Sequence, residues 1–341
     1  MNRFDEKYIF RLATVEDIDA IMNFYKIEWD SNHILANDKD FFCYQHLVGK
    51  NVNFMLAINK KTHCIEAAEG FIQYSIELKD IAAVMWKASS KSSTPFLGVE
   101  VIKRLKEATN CRAYFGTGVN PKTALPLHKN MLKHNVGKLK HFYLLADIDK
   151  YKIAIIREKI KLNNISFYNQ YKLVEIKNYD ELDTEYNFEQ NISRKPFKDR
   201  WYTEKRYFNH PIYNYLIWVL QDDKKLNVAL LIAREVECNS SKVLRIIDYL
   251  GDTNAIAGLA LEMENLIKRN NYEYIDIYCK GVDNEILNKA GFVFKSESDD
   301  NIIPNYFEPF IEQNIDIWYA LSDDDTLIFK GDGDQDRPNH R

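Results

Sequence analysis

The stretch Ile81-Ala-Ala-Val-Met-Trp-Lys-Ala88, continued by Ser89-Ser-Lys-Ser-Ser-Thr-Pro-Phe-Leu-Gly-Val-Glu100, decides how the chain folds. The nearly continuous apolar run 81–88 predicts a strand, and Ser89–Ser93 interrupts the pattern. Pro95 then opens a helix through Leu105, because proline in a first helical turn forfeits no hydrogen bond. Upstream, residues 8–12 read as a strand and Thr14 as a helix cap. Ile18, Ile21, Met22 and Tyr25 follow at helical spacing, and 53–58 with 67–76 read as a hairpin. Downstream, 111–116 predicts a strand, 123–134 a helix and 138–145 a further strand.

The same order recurs after a charged, weakly periodic connector at 151–198. Residues 213–221 and 225–235 form a predicted hairpin around Asp222-Asp223-Lys224. Then come a strand (243–250), an amphipathic helix (253–269), a strand (274–279) and a short helix (283–290) stopped by Gly291. Segments 315–320 and 326–329 close the pattern. Strands followed by helices, with hairpins between, predict an α/β fold of two domains, 1–150 and 151–341. Each domain is expected to be a mixed, mostly antiparallel sheet flanked by helices. A length of 341 residues agrees with two domains of ordinary size.

Lys and Arg total 46 and Asp and Glu 50, giving a net charge of −4, so no polyanion-binding surface and no nucleic-acid partner are expected. The cysteines Cys43, Cys64, Cys111, Cys238 and Cys279 are scattered without a CxxC pair, which suggests neither a disulfide framework nor a zinc site. No run of about 18 apolar residues is present, and the start lacks the apolar core of a signal peptide. A cytoplasmic chain without a membrane partner is the expectation.

Several residues stand out chemically. A helix start after a run of small residues presents unpaired N–H groups and a positive dipole end, which suit a phosphate. Ser89, Ser90, Lys91 and Gly98 are therefore candidate anion contacts, and an ordinary exposed turn is the alternative. Asp248 interrupts the apolar run Leu244-Arg-Ile-Ile-Asp-Tyr-Leu250, and Asp276 does the same in Tyr274-Ile-Asp-Ile-Tyr278. A carboxylate in a buried strand is costly unless paired or used. If the two strands are neighbours, both acids can face one cleft and accept a proton or orient an ammonium group. The alternative is a buried acid paired with Arg245 or a tyrosine hydroxyl. His210 and His33 sit on predicted loops, where an imidazole either takes a proton or is merely solvated. Asn305, Tyr306 and Glu308 lie in a turn bounded by Pro304 and Pro309, and an aromatic there can stack on a base or plug the core. The acidic tail 332–336 lacks the spacing and terminal Glu of a calcium loop, so it reads as a solvated or interface tail and no metal is expected.

The order Arg11-Leu-Ala-Thr-Val-Glu-Asp-Ile18, hairpin, strand–loop–helix, then Gly118-Val-Asn-Pro-Lys-Thr-Ala-Leu-Pro-Leu-His128 resembles the GNAT acyltransferases. Only Gly98 remains of their Gly-rich loop. In the second half Arg206-Tyr-Phe-Asn-His-Pro-Ile-Tyr213, Arg245-Ile-Ile-Asp-Tyr-Leu-Gly-Asp252, Tyr274-Ile-Asp-Ile-Tyr278, Ile303-Pro-Asn-Tyr-Phe-Glu-Pro-Phe310 and Asp332-Gly-Asp-Gln-Asp-Arg-Pro-Asn339 form a set. With Asn32-His-Ile-Leu-Ala-Asn-Asp38, that set resembles the tandem-GNAT sugar N-acyltransferases of bacterial polysaccharide biosynthesis. The resemblance implies two tandem GNAT-like domains, an acyl-CoA co-substrate and a nucleotide-linked amino sugar as acceptor. It implies CoA contacts at Ser89, Ser90, Lys91, Gly98 and Asn120, and sugar-nucleotide contacts at His33, Asp276, Asn305, Tyr306 and Glu308. Asp248 and His210 are then the candidate proton acceptors. Small-molecule substrates are the implied partners, and an oligomer is compatible with the reading. The alternatives are an aminoacyl or peptidyl transferase of tandem architecture and a non-catalytic sugar-nucleotide-binding module.

Overall fold

A computed structural model describes residues 3–163, 165 and 170–339. Parts of the connector (164 and 166–169) and the last two tail residues (340–341) lie outside the described residues. In chain order the main elements begin with β1 (Tyr8–Thr14), α1 (Ile18–Glu28), α2 (Ile34–Asn37), α3 (Lys39–His46), β2 (Asn51–Asn59), β3 (Ile65–Gln73) and β4 (Asp80–Ala88). They continue as α4 (Leu97–Thr109), β5 (Ala113–Thr117), α5 (Ala124–Asn130), β6 (Asn135–Lys138), β7 (Lys140–Leu145) and β8 (Tyr171–Glu175). The remainder are β9 (Leu216–Asp222), β10 (Asn227–Cys238), β11 (Ser241–Gly251), α6 (Ala260–Asn270), β12 (Tyr272–Lys280), α7 (Asn284–Lys289), β13 (Trp318–Leu321) and β14 (Ile328–Phe329).

Two compact units result: Met1–Gly137 with Trp318–Asp324 and Gly333–Arg341, and Lys138–Ile317 with Asp325–Asp332. The sheet of the first unit runs β1-β2-β3-β4-β5-β13-β6; β1 to β4 pair antiparallel, β4 and β5 parallel, and β5 and β13 antiparallel. The sheet of the second centres on β7-β12-β11-β10-β9-β8, with β11 and β12 parallel. The division expected at 1–150 and 151–341 therefore differs from the units in two strands. β7 pairs with β12 of the second sheet, whereas β13, near the C-terminus, pairs with β5 of the first.

Apolar faces drive both sheets. Leu97, Val101, Ile102 and Leu105 of α4 recur at helical spacing and bury against Met55, Ala57, Ala67, Phe71, Ile81 and Ala83. Burying side chains of this size stabilises by roughly 1.5–3 kcal/mol each. Asn110 ends α4 in the left-handed conformation. In the second unit Met263 and Ile267 of α6 pack on Leu244, Ile246, Ile275 and Ile277. The helix expected at 253–269 is split: a 3-10 turn spans Thr253–Gly258 before α6. Gly258 is where the chain passes Tyr171, whose ring carbon would lie 2.8 Å from an added Cβ. Of the two readings of the acidic tail, solvated or interface, the solvated one fails. Asp332, Gly333, Asp336 and Pro338 are buried, Tyr74 Oη accepts from Gly333 N at 2.8 Å, and Asn339 O accepts from Ile34 N at 3.0 Å.

Candidate functional site

In the first unit, β4 and β5 pair from Asp80 opposite Ala113 to Ala83 opposite Gly116, and β4 then continues to Ala88. The two parallel strands part at that point and leave a notch. On the other edge of β4 the register with β3 shifts between Ala68 and Gly70, so Met85 and Trp86 together oppose Glu69. Met85 takes a φ of 55°, a left-handed conformation that a long unbranched side chain seldom adopts without compensation. The compensation is visible, since the Tyr25 hydroxyl donates to Met85 O. Trp86 Nε1 donates to Gly98 O at 2.9 Å and ties the kinked strand to the start of α4. Gly98 makes that approach easy, because an added Cβ would stand 3.1 Å from Trp86 Nε1 and the indole would have to shift by a few tenths of an ångström.

Polar groups lie buried at the apex of the notch. The Tyr114 hydroxyl donates to Glu69 Oε1 at 2.7 Å, while Glu69 Oε2 is buried with no hydrogen-bond partner among the described residues. Burial pushes this carboxyl up to about 8, against the hydrogen bond from Tyr114. His128 and His134 meet Nδ1 to Nδ1 at 3.1 Å, so one ring donates and the other accepts. Burial holds them down to about 4 and about 3. The His128 ring lies 5.2 Å from that of Trp86.

The loop expected to meet an anion already holds one. Glu28 accepts from Ser89 Oγ at 2.7 Å, from Ser90 N at 3.0 Å and from Ser90 Oγ at 3.2 Å. Burial opposes ionisation there, but these serine bonds keep Glu28 below the usual carboxylate range. Lys91 is exposed, and its N–H donates to Ser89 Oγ at 3.1 Å. Asn120 Oδ1 accepts from Lys122 N at 2.9 Å and from Thr123 N at 3.2 Å, so Asn120 shapes the turn before α5. His33, 6% exposed, caps α2 by accepting from Leu35 N at 3.2 Å.

In the second unit the equivalent parallel pair, β11 and β12, also parts after Ile246 and Ile277, but the chain itself fills the opening. β14 pairs with the end of β12, and Gly331 N donates to Ile247 O at 2.8 Å. An added Cβ on Gly331 would lie 2.6 Å from Ile247 Cγ2, so only glycine fits this plug. Asp248 and Asp276 do lie on neighbouring strands, yet each is saturated separately. Asp248 accepts from Lys198 Nζ at 2.6 and 2.7 Å, from Tyr207 Oη at 2.6 Å and from Tyr249 N at 2.8 Å. Lys198 also pairs with Asp332 at 2.8 Å, and the two carboxylates keep the ammonium charged despite its burial. Asp276 is bound by Arg245 at 2.9 and 3.1 Å and faces His141 Nε2 at 3.2 Å. Burial works against its charge, and Arg245 overcomes that to hold it below the usual carboxylate range.

His210 and Glu308 are brought together through Tyr213. The His210 ring stacks on Tyr213 at 5.1 Å with an 8° tilt, and the Tyr213 hydroxyl donates to Glu308 at 2.5 Å. His210 Nδ1 accepts from Tyr213 N at 2.9 Å, which places the proton of a neutral ring on Nε2. Arg234 lies over the Tyr213 ring at 4.0 Å from its centre. Asn305 is buried: its O accepts from Arg245 at 2.6 Å and its side chain pins Ile315 at 2.9 and 3.2 Å. Half-buried Tyr306 pairs with Ile311 in a two-residue strand. Sequence reasoning missed Glu69, Tyr114, His134 and Lys198. Glu69 carried the signal used for Asp248, a lone acid in the run Ala67-Ala-Glu-Gly-Phe-Ile72.

No protein-family model matches the chain. No curated protein matches its sequence. Solved structures do match. A GCN5-related N-acetyltransferase from Anabaena variabilis superimposes with a TM-score of 0.56 at 10% identity, covering 92% of this chain and 72% of its own. A probable N-acyltransferase from Enterococcus faecalis, described as a conserved protein of unknown function, gives 0.55 at 6% identity, covering 92% and 71%. At such identities the likeness speaks for the fold, and the fold is that of two tandem GNAT-like α/β domains.

Proposed function

We propose that the chain is an acyl-CoA-dependent N-acyltransferase whose first unit holds the thioester. The parting of the parallel strands β4 and β5 beside a kinked backbone carries this reading. Beyond Ala83 the β4–β5 ladder ends, the kinked Met85–Trp86 backbone borders that point, and Gln335 of the tail reaches Thr117 O beside it. A bulged strand leaves backbone groups outside the ladder, the kind of donors that stabilise a tetrahedral oxyanion. The donors now on Glu28, Ser90 N–H with the Ser89 and Ser90 hydroxyls, are chemically suited to a phosphate as well. In this proposal they meet the CoA pyrophosphate, with Lys91, Gly98 and Asn120 nearby.

The acceptor is a free amine that attacks the thioester directly, and holding both substrates supplies much of the acceleration. A nucleotide-linked amino sugar is the proposed acceptor class. It rests on the sequence resemblance, with His210, Tyr306 and Glu308 as its candidate contacts. Thiol release tests the proposal: purified chain is incubated with acetyl- or hydroxybutyryl-CoA and a panel of deoxythymidine- and uridine-linked amino sugars. Release that needs both partners is the expected result. CoA binding without release from any pair would instead identify a binding module.

A further inference from the structure

Glu28 is the last residue of α1, where its negative charge meets the negative end of the helix dipole and does nothing for its own helix. Its partners lie 61 and 62 positions away in the sequence: Ser89 Oγ at 2.7 Å, Ser90 N at 3.0 Å and Ser90 Oγ at 3.2 Å. Other acids of this unit serve their own neighbours, as Asp17 does with Thr14 N and Asp38 with Phe41 N. Three donors that converge on one carboxylate form an anion seat. The seat is at the surface, since Ser90 and Lys91 are exposed and Glu28, Lys87 and Ser89 half-buried, so an anion from solvent can reach it. Lys87 of β4 is close enough to favour the charged form of Glu28. The far end of the loop is held separately. Thr94 Oγ1 accepts from Lys7 Nζ at 3.0 Å and meets Tyr8 Oη at 2.9 Å, and the Tyr8 hydroxyl donates to Glu66 at 2.5 Å. The loop therefore keeps an anchor when Glu28 lets go.

We propose that Glu28 is an internal occupant of this seat which the pyrophosphate of acyl-CoA must displace, so that Glu28 sets how tightly the chain binds CoA. This rests on the acyltransferase reading, which puts the pyrophosphate at Ser89 and Ser90. Exchanging one anion for another leaves all three donors with an acceptor, so no hydrogen-bonding group is stranded. The carboxylate and a phosphate cannot share the seat, because like charges at hydrogen-bonding range repel. Binding is then possible only in the fraction of molecules from which Glu28 has withdrawn, and the apparent affinity falls by that fraction. Glu28 also discriminates among anions. A monoanion offers the donors no more than the tethered carboxylate does, whereas a pyrophosphate brings more acceptor oxygens and more charge, with Lys87 and Lys91 at hand to meet it.

The test titrates wild type, Glu28→Gln and Glu28→Ala calorimetrically with CoA, with inorganic pyrophosphate, and with pantetheine, which lacks the phosphates. Expected is a tightening of about tenfold for CoA and pyrophosphate in both variants, with none for pantetheine. Wild type carries a second readout that needs no variant: carbodiimide labelling of the Glu28 carboxylate, read by mass spectrometry, should rise as CoA or pyrophosphate saturates the chain. Should the variants fail to fold, this labelling decides. Unchanged or weaker CoA affinity in folded variants, an equal gain for pantetheine, or flat labelling, beside a wild type that binds CoA and releases thiol, overturns this inference alone. Wild type and variants that bind neither CoA nor pyrophosphate overturn the CoA reading and take this inference with it.

Discussion

Lys198 is the buried cation on which the second unit closes, 7% exposed and shared between Asp248 and Asp332. Removing one partner of a buried ion pair leaves an uncompensated charge, at a cost of about 3–5 kcal/mol. Lys198→Met should therefore lower stability by that amount in urea denaturation, because two carboxylates lose their counterion. Asp248 was a candidate proton acceptor from its place in an apolar strand. Its oxygens accept from Lys198, Tyr207 and Tyr249 N–H, so it has no spare capacity for a substrate proton. Asp248→Asn is thus expected to cost stability before turnover. A fully stable variant with greatly reduced kcat would restore the catalytic role. Gly331→Ala tests the same corner by volume. Its Cβ would meet Ile247 Cγ2 at 2.6 Å and Ile247 O at 3.0 Å, and overpacking of this kind costs about 1–3 kcal/mol.

Among the elements, β4 and α4 were legible because both carry local signals: an apolar run ended by serines, then apolar spacing at 97, 101, 102 and 105. The hairpins β2–β3 and β9–β10 were legible for the same reason. What local pattern cannot encode is which strand a strand pairs with. β7 was read as a strand and β13 falls in the closing segment 315–320, yet their partners are β12 and β5, chosen by long-range burial. The solvated reading of the tail fails because its composition is that of an exposed segment while its polar groups are met by Tyr74, Thr117 and Ile34. Candidate-site legibility followed the same divide. Asp248, Asp276 and His210 announced themselves as polar interruptions, but only pairing reveals that the two acids are saturated and that Glu69 is not. The tail gives a prediction at this scale. Deleting Gly333–Arg341 removes hydrogen bonds worth about 1 kcal/mol each, so the first unit should lose a few kcal/mol, read as faster amide exchange in β4 and β5. Unchanged exchange would return the tail to a passive role.

For the whole molecule, the first unit combines two kinds of titrating group with opposite sign. Glu69 ordinarily titrates near 4.5 and is raised by burial to about 8 in the fold. The folded state therefore holds a proton that the unfolded chain has released, and this contribution is complete below 4.5 and fades as pH rises to about 8. His128 and His134 behave inversely, ordinarily near 6.5 and held by burial at about 4 and about 3. Their contribution is complete above 6.5 and fades as pH falls through the folded values. Each proton of difference is worth about 1.4 kcal/mol per pH unit. Between 4.5 and 6.5 the two histidines outweigh the one carboxyl, and above 6.5 the carboxyl acts alone, so these three groups together favour the fold most near pH 6.5. The stability difference between wild type and Glu69→Gln isolates the carboxyl, because every other group cancels. That difference should fall by about 1.4 kcal/mol per pH unit from pH 4.5 towards 8, measured by urea denaturation at fixed ionic strength. A difference that stays flat across this range would mean that Glu69 is ionised in the fold, and that the notch apex carries a charge rather than a bound proton.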